Sequence, residues 1–298
     1  MDSTLEVSAV DQLFRTGFWL RPVQVLYNVT LKVPRKTVFG FLGANGAGKT
    51  TLIHLITGLR KPSRGKVQVL GHDASSPEAK AQIGYLPERP YFHEHLTGQS
   101  LLEYFGTLAG MKNRKIQERI PLVLSEVGMT EARKVELKKY SKGMLQRIGI
   151  AQALLHDPEL LVLDEPMSGL DPIGRKEMRE LILRLAAEGR TIFFSSHVIP
   201  DVEAICDQVA LIQKGRIIGC GPVADFLRPN AELVEIAFSG SKINLSEFQS
   251  ITEMPTGFRG LVSGQKGVDE VLPKLLEKEA KILWIQPIRP SLEDLFIK

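Results

Sequence analysis

GANGAGKT, Gly43–Thr50, is the stretch on which the reading of this chain turns. It satisfies G-x-x-x-x-G-K-[ST] and sits where that pattern has chemical meaning. Before it comes Val38–Leu42, a short apolar run suited to a buried parallel strand. After it a helical pattern runs from Gly48 to about Leu59 and stops near Lys61-Pro62. Gly43, Gly46 and Gly48 let the backbone curl so that its N–H groups converge on one anion, and the helix N-terminus adds positive potential there. The candidate phosphate contacts are therefore Gly43, Ala44, Asn45, Gly46, Ala47, Gly48, Lys49, Thr50 and Thr51. Lys49 is placed to reach the β- and γ-phosphates, and the Thr50 hydroxyl to ligand Mg²⁺.

A second apolar strand, LLVL at Leu160–Leu163, delivers Asp164 and Glu165 to its C-terminal end, where open α/β sheets bind ligands. Asp164 is placed to hold Mg²⁺ through water, and Glu165 to take a proton from an attacking water. From residue 158 onward the pattern alternates. Strand Leu160–Leu163, a helix around Arg175–Ala187, strand Thr191–Phe194, a helix around Ile199–Cys206 and strand Val209–Ile212 predict a parallel sheet with covering helices. Leu5–Val10 and Val23–Val33 are rich in β-branched residues and read as antiparallel strands. Residues 96–155 read as helical. Leu101, Leu102, Phe105 and Leu108 recur at helical spacing, as do Ile116, Ile120, Val123, Leu124 and Val127. Gly219, Gly221 and Pro222 punctuate the end of this block. Beyond them lie strand-like runs, Leu233–Phe238 and Ile282–Ile285, and a helical run at Val268–Leu276.

Between the two phosphate motifs stands YSKGMLQRIGIAQAL, Tyr140–Leu154. With it the chain resembles an ATP-binding cassette (ABC) ATPase over roughly residues 5–220. Ser141 and Gly143 occupy the serine and second-glycine positions of the family's signature, while Tyr140, Lys142 and Met144 depart from its commonest form, LSGGQ. In the family this segment touches ATP held by a second subunit, so the resemblance implies a dimer. SGLD, Ser168–Asp171, is similar to the loop that links the two sites across that dimer, and Asp171 joins the nucleotide-facing set. His197, after the strand Thr191–Phe194, resembles the switch histidine at the γ-phosphate and is paired with Glu165 as catalytic. IGYLPE, Ile83–Glu88, resembles a segment that normally ends in glutamine; Glu88 stands there instead as a metal-facing residue, on a loop expected to meet the membrane partner. An aromatic upstream of the cradle stacks on adenine in the family. Phe14 fits that spacing best, with Phe18 and Trp19 as alternatives. The remaining histidines, His54, His72, His93, His95 and His156, have no such context.

The resemblance implies an α/β fold of the P-loop NTPase, ABC-cassette kind, with an antiparallel β subdomain, a helical signature subdomain at about 92–155 and a small C-terminal α+β appendix. The expected boundaries are 1–220 for the ATPase and 221–298 for the accessory domain. The cofactors that the resemblance implies are ATP and Mg. The wording IGYLPE, YSKGM and SGLDPIGR, with the ending SLEDLFIK, is most similar to single-cassette subunits of bacterial-type exporters with separate permeases. The implied partners are an integral-membrane permease and a second ATPase subunit, identical or not. The implied location is the cytoplasmic face of the cell membrane. The alternative is an ABC ATPase acting on DNA or the ribosome; such proteins usually carry two cassettes or a long coiled coil. A formal net charge of +4 is too mild to argue for nucleic acid. No run of eighteen apolar residues offers a span, and the acidic N-terminus does not read as a signal peptide. Cys206 and Cys220 form no metal-ligand spacing and read as reduced thiols.

Overall fold

The computed structural model describes residues 3–17, 21–227, 233–240, 243, 245–287 and 292. They belong to two compact units, Met1–Val223 and Ala224–Lys298. The first unit carries strands β1 (Ser3–Thr16), β2 (Arg21–Pro34), β3 (Val38–Leu42), β4 (Arg64–Val69), β5 (His72–Asp73), β6 (Ile83–Leu86), β7 (Leu160–Leu163), β8 (Thr191–Ser196), β9 (Gln208–Gln213) and β10 (Arg216–Pro222). Its helices are α1 (Lys49–Ile56), α2 (Pro77–Lys80), α3 (Gly98–Leu108), α4 (Asn113–Glu126), α5 (Lys142–Leu154), α6 (Pro172–Ala187) and α7 (Ile199–Ile205).

Two sheets result. The antiparallel one has the order β2-β1-β4-β5, and the larger one the order β10-β9-β3-β8-β7-β6. In the larger sheet β9, β3, β8, β7 and β6 run parallel. Register pairs Leu42 with Ser196, Leu163 with Phe194 and Leu86 with Leu163, which sets the C-terminal ends of β3, β8, β7 and β6 along one edge. Every residue of β3 and β7 is buried, as expected of parallel strands covered on both faces. Phe193 stacks on Phe39 at 5.7 Å and tilts against Phe41 at 5.5 Å. These rings, with Leu52, Ile53 and Ile56 of α1 and Leu26 and Val29 of β2, make one core that anchors the start of α1. Each such side chain contributes about 2 kcal/mol by leaving water.

Residues 96–155 are not helical throughout. α4 ends at Glu126, and two residues on Gly128 turns the chain with a φ of +69°, a conformation that favours glycine. The chain then runs without α-helix to Ser141, apart from a 3-10 turn at Leu137–Lys139. Ser141 caps α5: its Oγ accepts from Met144 N at 3.3 Å. A second departure is β10, where the glycines and proline read as punctuation. Among the described residues this edge strand pairs with β9 alone, and Pro222 is its last residue, where a missing N–H costs least. Lys214 (φ 47°) and Gly215 (φ 75°) form the tight left-handed turn that joins the two strands. The short helix α8 (Val223–Phe226) follows.

The second unit is an antiparallel sheet of β11 (Leu233–Ser239), β12 (Ser250–Met254), β13 (Gly257–Ser263) and β14 (Lys281–Pro287), in the order β12-β13-β11-β14. Helix α9 (Gly264–Glu277) buries Val268, Val271 and Leu275 against Ile236, Phe238 and Val262. The hairpin β12–β13 is absent from the sequence reading, because SITEM and GFRGLVS carry little apolar alternation. Of SLEDLFIK only Leu292 lies within the described residues, and it is fully buried.

Candidate nucleotide site

The glycine-rich loop leaves β3 at Leu42 and enters α1 at Lys49. Two of its glycines are sterically required. A Cβ on Gly43 would stand 2.6 Å from Ile212 O; one on Gly48, already at φ +109°, would stand 2.8 Å from Leu26 Cδ2. Lys49 is folded back into the loop it follows. Its Nζ donates to Gly43 O at 2.7 Å and to Ala44 O at 3.3 Å. It also stands 3.2 Å from Glu165 Oε1, off the line of a hydrogen bond. Only 7% of its side chain is exposed.

Strand β7 brings the two carboxylates alongside. Ser195 on the neighbouring β8 holds both residues: its Oγ donates to Asp164 Oδ1 at 2.6 Å and accepts from Glu165 N at 3.0 Å. Burial pushes the Asp164 carboxyl above the usual carboxylate range. Hydrogen bonds from Ser195 and Thr50 oppose that shift, and the charges of Glu165 and Glu88 reinforce it. The hydroxyl of Tyr85 is raised to about 12, first by burial and then by Asp164. Glu165 has a left-handed backbone, φ 49°, which is costly for a residue with a Cβ and turns its side chain away from the strand direction. His197 Nδ1 donates to Glu165 Oε2 at 2.9 Å.

These groups surround a cavity of about 680 Å³ lined by Val25, Asn45, Gly46, Gly48, Lys49, Thr50, Thr51, Glu88, Glu165, Ser168 and His197. Its size falls within the range of small-molecule sites. Gly43, Ala44 and Ala47 belong to the loop but not to the lining. The Gly43 amide donates to Ser196 O at 3.2 Å, and the Ala47 amide to Ala44 O at 3.1 Å. Asp164 lies behind the lining, 2% exposed. Phe14 is not brought to the cavity; it is half-buried under the guanidinium of Arg60, 5.0 Å from the ring centroid, while Val25 supplies an apolar wall. Phe18 and Trp19 lie outside the described residues. Ser141, Gly143 and Asp171 also stand apart from the lining. Ser141 and Asp171 cap α5 and α6, and a Cβ on Gly143 would be 3.8 Å from Leu170 of the SGLD loop.

Sequence reasoning missed three contributors. Ser195 follows the apolar run Ile192–Phe194 and is itself fully buried, and a hydroxyl directly after such a run is its signal. Val25 carries none. Gln146 is 1% exposed on α5; its Nε2 donates to Glu88 O at 3.4 Å while its Oε1 has no partner. A glutamine among Ile148, Gly149 and Ile150 marks it. The hard oxygen donors Thr50, Asp164 and Glu88 suit Mg²⁺, which characteristically binds one or two carboxylates together with substrate phosphates. No cluster of three His, Cys, Asp or Glu able to cage a metal occurs among the described residues.

A glycine-rich cradle between a central parallel strand and its helix, with a carboxylate–histidine pair facing the cradle lysine, defines a P-loop nucleotide hydrolase. The sequence profile described as ABC transporter matches residues 26–168. An uncharacterized ABC transporter ATP-binding protein of Synechocystis is 39% identical over 99% of this chain and 84% of its own. The bacitracin transport ATP-binding protein BcrA of Bacillus licheniformis is 37% identical over 91% of this chain and 90% of its own. Among solved structures, an ATP-binding subunit of an ABC transporter superposes with a TM-score of 0.65 at 32% identity, covering 76% of this chain and 92% of that one. CbiO1 of Clostridium perfringens, part of the transporter complex CbiONQ, gives 0.66 at 26%, covering 76% and 90%. The chain belongs to the ABC transporter ATP-binding proteins: it is a nucleotide-binding, ATP-hydrolysing transporter subunit.

Proposed function

We propose that two such subunits close head-to-tail around ATP and drive a separate permease in the direction of export. The observation that carries the catalytic part is the Glu165 carboxylate, held between Lys49 Nζ at 3.2 Å and His197 Nδ1 at 2.9 Å on the wall of the cavity. In this reading Glu165 accepts the proton of the attacking water and His197 orients that carboxylate and meets the γ-phosphate. Lys49 leaves its carbonyl partners for the phosphates, and the amides of Gly46, Gly48, Thr50 and Thr51 hold them. Thr50, Asp164 and Glu88 would hold Mg²⁺, which when bound offsets phosphate charge. Ser141, Gly143 and Asp171 serve the ATP of the second subunit, which accounts for their standing apart from the cavity of their own chain. The motor is residues 1–220, with its helical subdomain at about 92–155, and residues 221–298 are an accessory domain.

No helix among the described residues is long and apolar enough to cross a membrane. The chain is accordingly assigned to the cytoplasmic face of the membrane through its permease. Likeness to a bacitracin transport ATP-binding protein over most of both chains supports the transport role. Affinity purification of the full chain from detergent-solubilised membranes tests it. A multi-span membrane protein that co-purifies with ATPase activity is expected. Co-purification with ribosomes or nucleic acid, and without a membrane subunit, would overturn the reading.

A further inference from the structure

Three helices of the first unit each begin at a loop assigned to the reaction: α5 at Ser141, α6 at Asp171 and α7 just after His197. They are tied by ion pairs. Arg147 of α5 reaches Glu177 of α6 at 2.8 Å. Arg175 and Arg179, one turn apart on α6, both reach Asp201 of α7, at 3.4 Å and 2.9 Å. Asp201 differs from Glu177, the other acid in these links. Its side chain is 3% exposed, against 52% for Glu177. A buried carboxylate held by two guanidinium groups is fixed in place, because neither water nor a third group can take over its hydrogen bonds.

The position of that carboxylate matters more than its strength. Asp201 and Arg175 close one side of a void whose other walls include Glu165, Ser168, Ser195 and His197. The void measures about 10 Å³, at or below what a single water needs. The Arg175–Asp201 ion pair and the Glu165–His197 pair line the same narrow void, which is too small to take up a displaced side chain, so a shift of one is transmitted to the other.

We infer that Asp201 is a positioning residue for ATP hydrolysis: by clamping α7 to α6 it holds His197 in register with Glu165 and with the Ser168–Asp171 loop. The inference rests on the reading of Glu165 and His197 as the catalytic pair. Asp201 touches no reacting atom and acts through His197.

Steady-state ATP hydrolysis by the full-length Asp201→Asn chain tests this, with Asp201→Glu, His197→Ala and Glu165→Gln alongside. Asparagine keeps the size and removes the charge that holds both arginines. Small misplacements of catalytic groups cost about 10²-fold, so kcat falls by about 10- to 100-fold while KM stays within about twofold. Asp201→Glu, which restores the carboxylate, recovers most of the loss. In the His197→Ala background Asp201→Asn adds less than about twofold, the non-additivity expected of a residue acting through another. Wild-type kcat in Asp201→Asn, or a full multiplicative loss on top of His197→Ala, overturns the inference. Normal turnover in Glu165→Gln instead overturns the reading of the catalytic pair, and the inference with it. Should Asp201→Asn not fold, Arg175→Gln and Arg179→Gln each leave Asp201 one guanidinium. Each lowers kcat at unchanged KM, and wild-type kcat in both overturns the inference.

Discussion

Replacing Glu165 with glutamine changes two things at once, and the geometry says by how much. The amide cannot accept a proton, so if Glu165 is the general base, turnover falls by about 10²–10⁴. The same change releases Lys49. At 3.2 Å the two charges attract by about 5 kcal/mol at an effective dielectric constant near 20. Lys49 keeps its carbonyl partners Gly43 O and Ala44 O, so only part of that attraction is lost to the free protein. A phosphate reaching Lys49 has to displace the carboxylate in the wild type and not in the variant. If a quarter of the attraction appears in binding, ATP affinity rises on the order of tenfold. Glutamine tolerates the φ of 49° no worse than glutamate, so backbone strain does not confound the comparison. Phosphate release measures turnover, a fluorescent ATP analogue measures affinity, and light scattering with Mg-ATP reads the paired subunits that uncleaved ATP should accumulate. Turnover within a few-fold of wild type would refute the base assignment. Lost turnover with weaker ATP binding would refute the competition for Lys49.

Lys49→Ala removes the mobile cation of the cradle, and ATP binding or turnover falls by at least about tenfold; equilibrium binding and phosphate release read it. A chain ending at Val223 retains ATP binding, since every lining residue of the cavity precedes it and residues 224–298 have a core of their own; a soluble truncation that fails to bind disproves that independence. His156 donates to Ile83 O at 3.1 Å, and burial lowers its pKa below the ordinary imidazole value. Its neutral form is favoured in the folded chain, so its contribution to stability is present above about pH 6.5 and is lost as pH falls below that. Urea midpoints at pH 7.5 and 5.5 should therefore differ less in His156→Gln than in wild type.

The parts of the fold that were legible are those in which local pattern and burial agree. β3 and β7 read directly because a parallel strand covered on both faces has no polar side to blur its run, and the glycine-rich loop is marked by steric demands that few sequences satisfy. β10 was illegible because Gly219, Gly221 and Pro222 look like a break, although an edge strand tolerates all three. β12 and β13 were illegible because SITEM and GFRGLVS carry little apolar alternation, and β12 lies at the edge of its sheet. At the site, the residues facing the cavity from Lys49 to His197 announce themselves by chemistry. The residues that hold them carry a weaker signal: a polar side chain beside apolar residues marks Ser195 and Gln146, but no spacing along the chain reveals their contacts with β7 and with the Glu88 loop. Phe14 fits the spacing of an adenine platform, and Arg60 stands over one face of its ring, 5.0 Å from the centroid.

The strand order β9-β3-β8-β7-β6 has a consequence for synthesis on the ribosome. Both neighbours of β3 in the sheet, β8 and β9, lie more than 140 residues downstream of it. A growing chain exposes the glycine-rich loop early and the Asp164–Glu165 pair much later. It cannot join them until Thr191–Ser196 has emerged and slipped between β3 and β7. Until then the cradle strand has unpaired edges, and Ser195 is not there to hold the two carboxylates. A chain that has not yet released β8 is therefore unable to bring the glycine-rich loop and the Asp164–Glu165 pair together across the sheet.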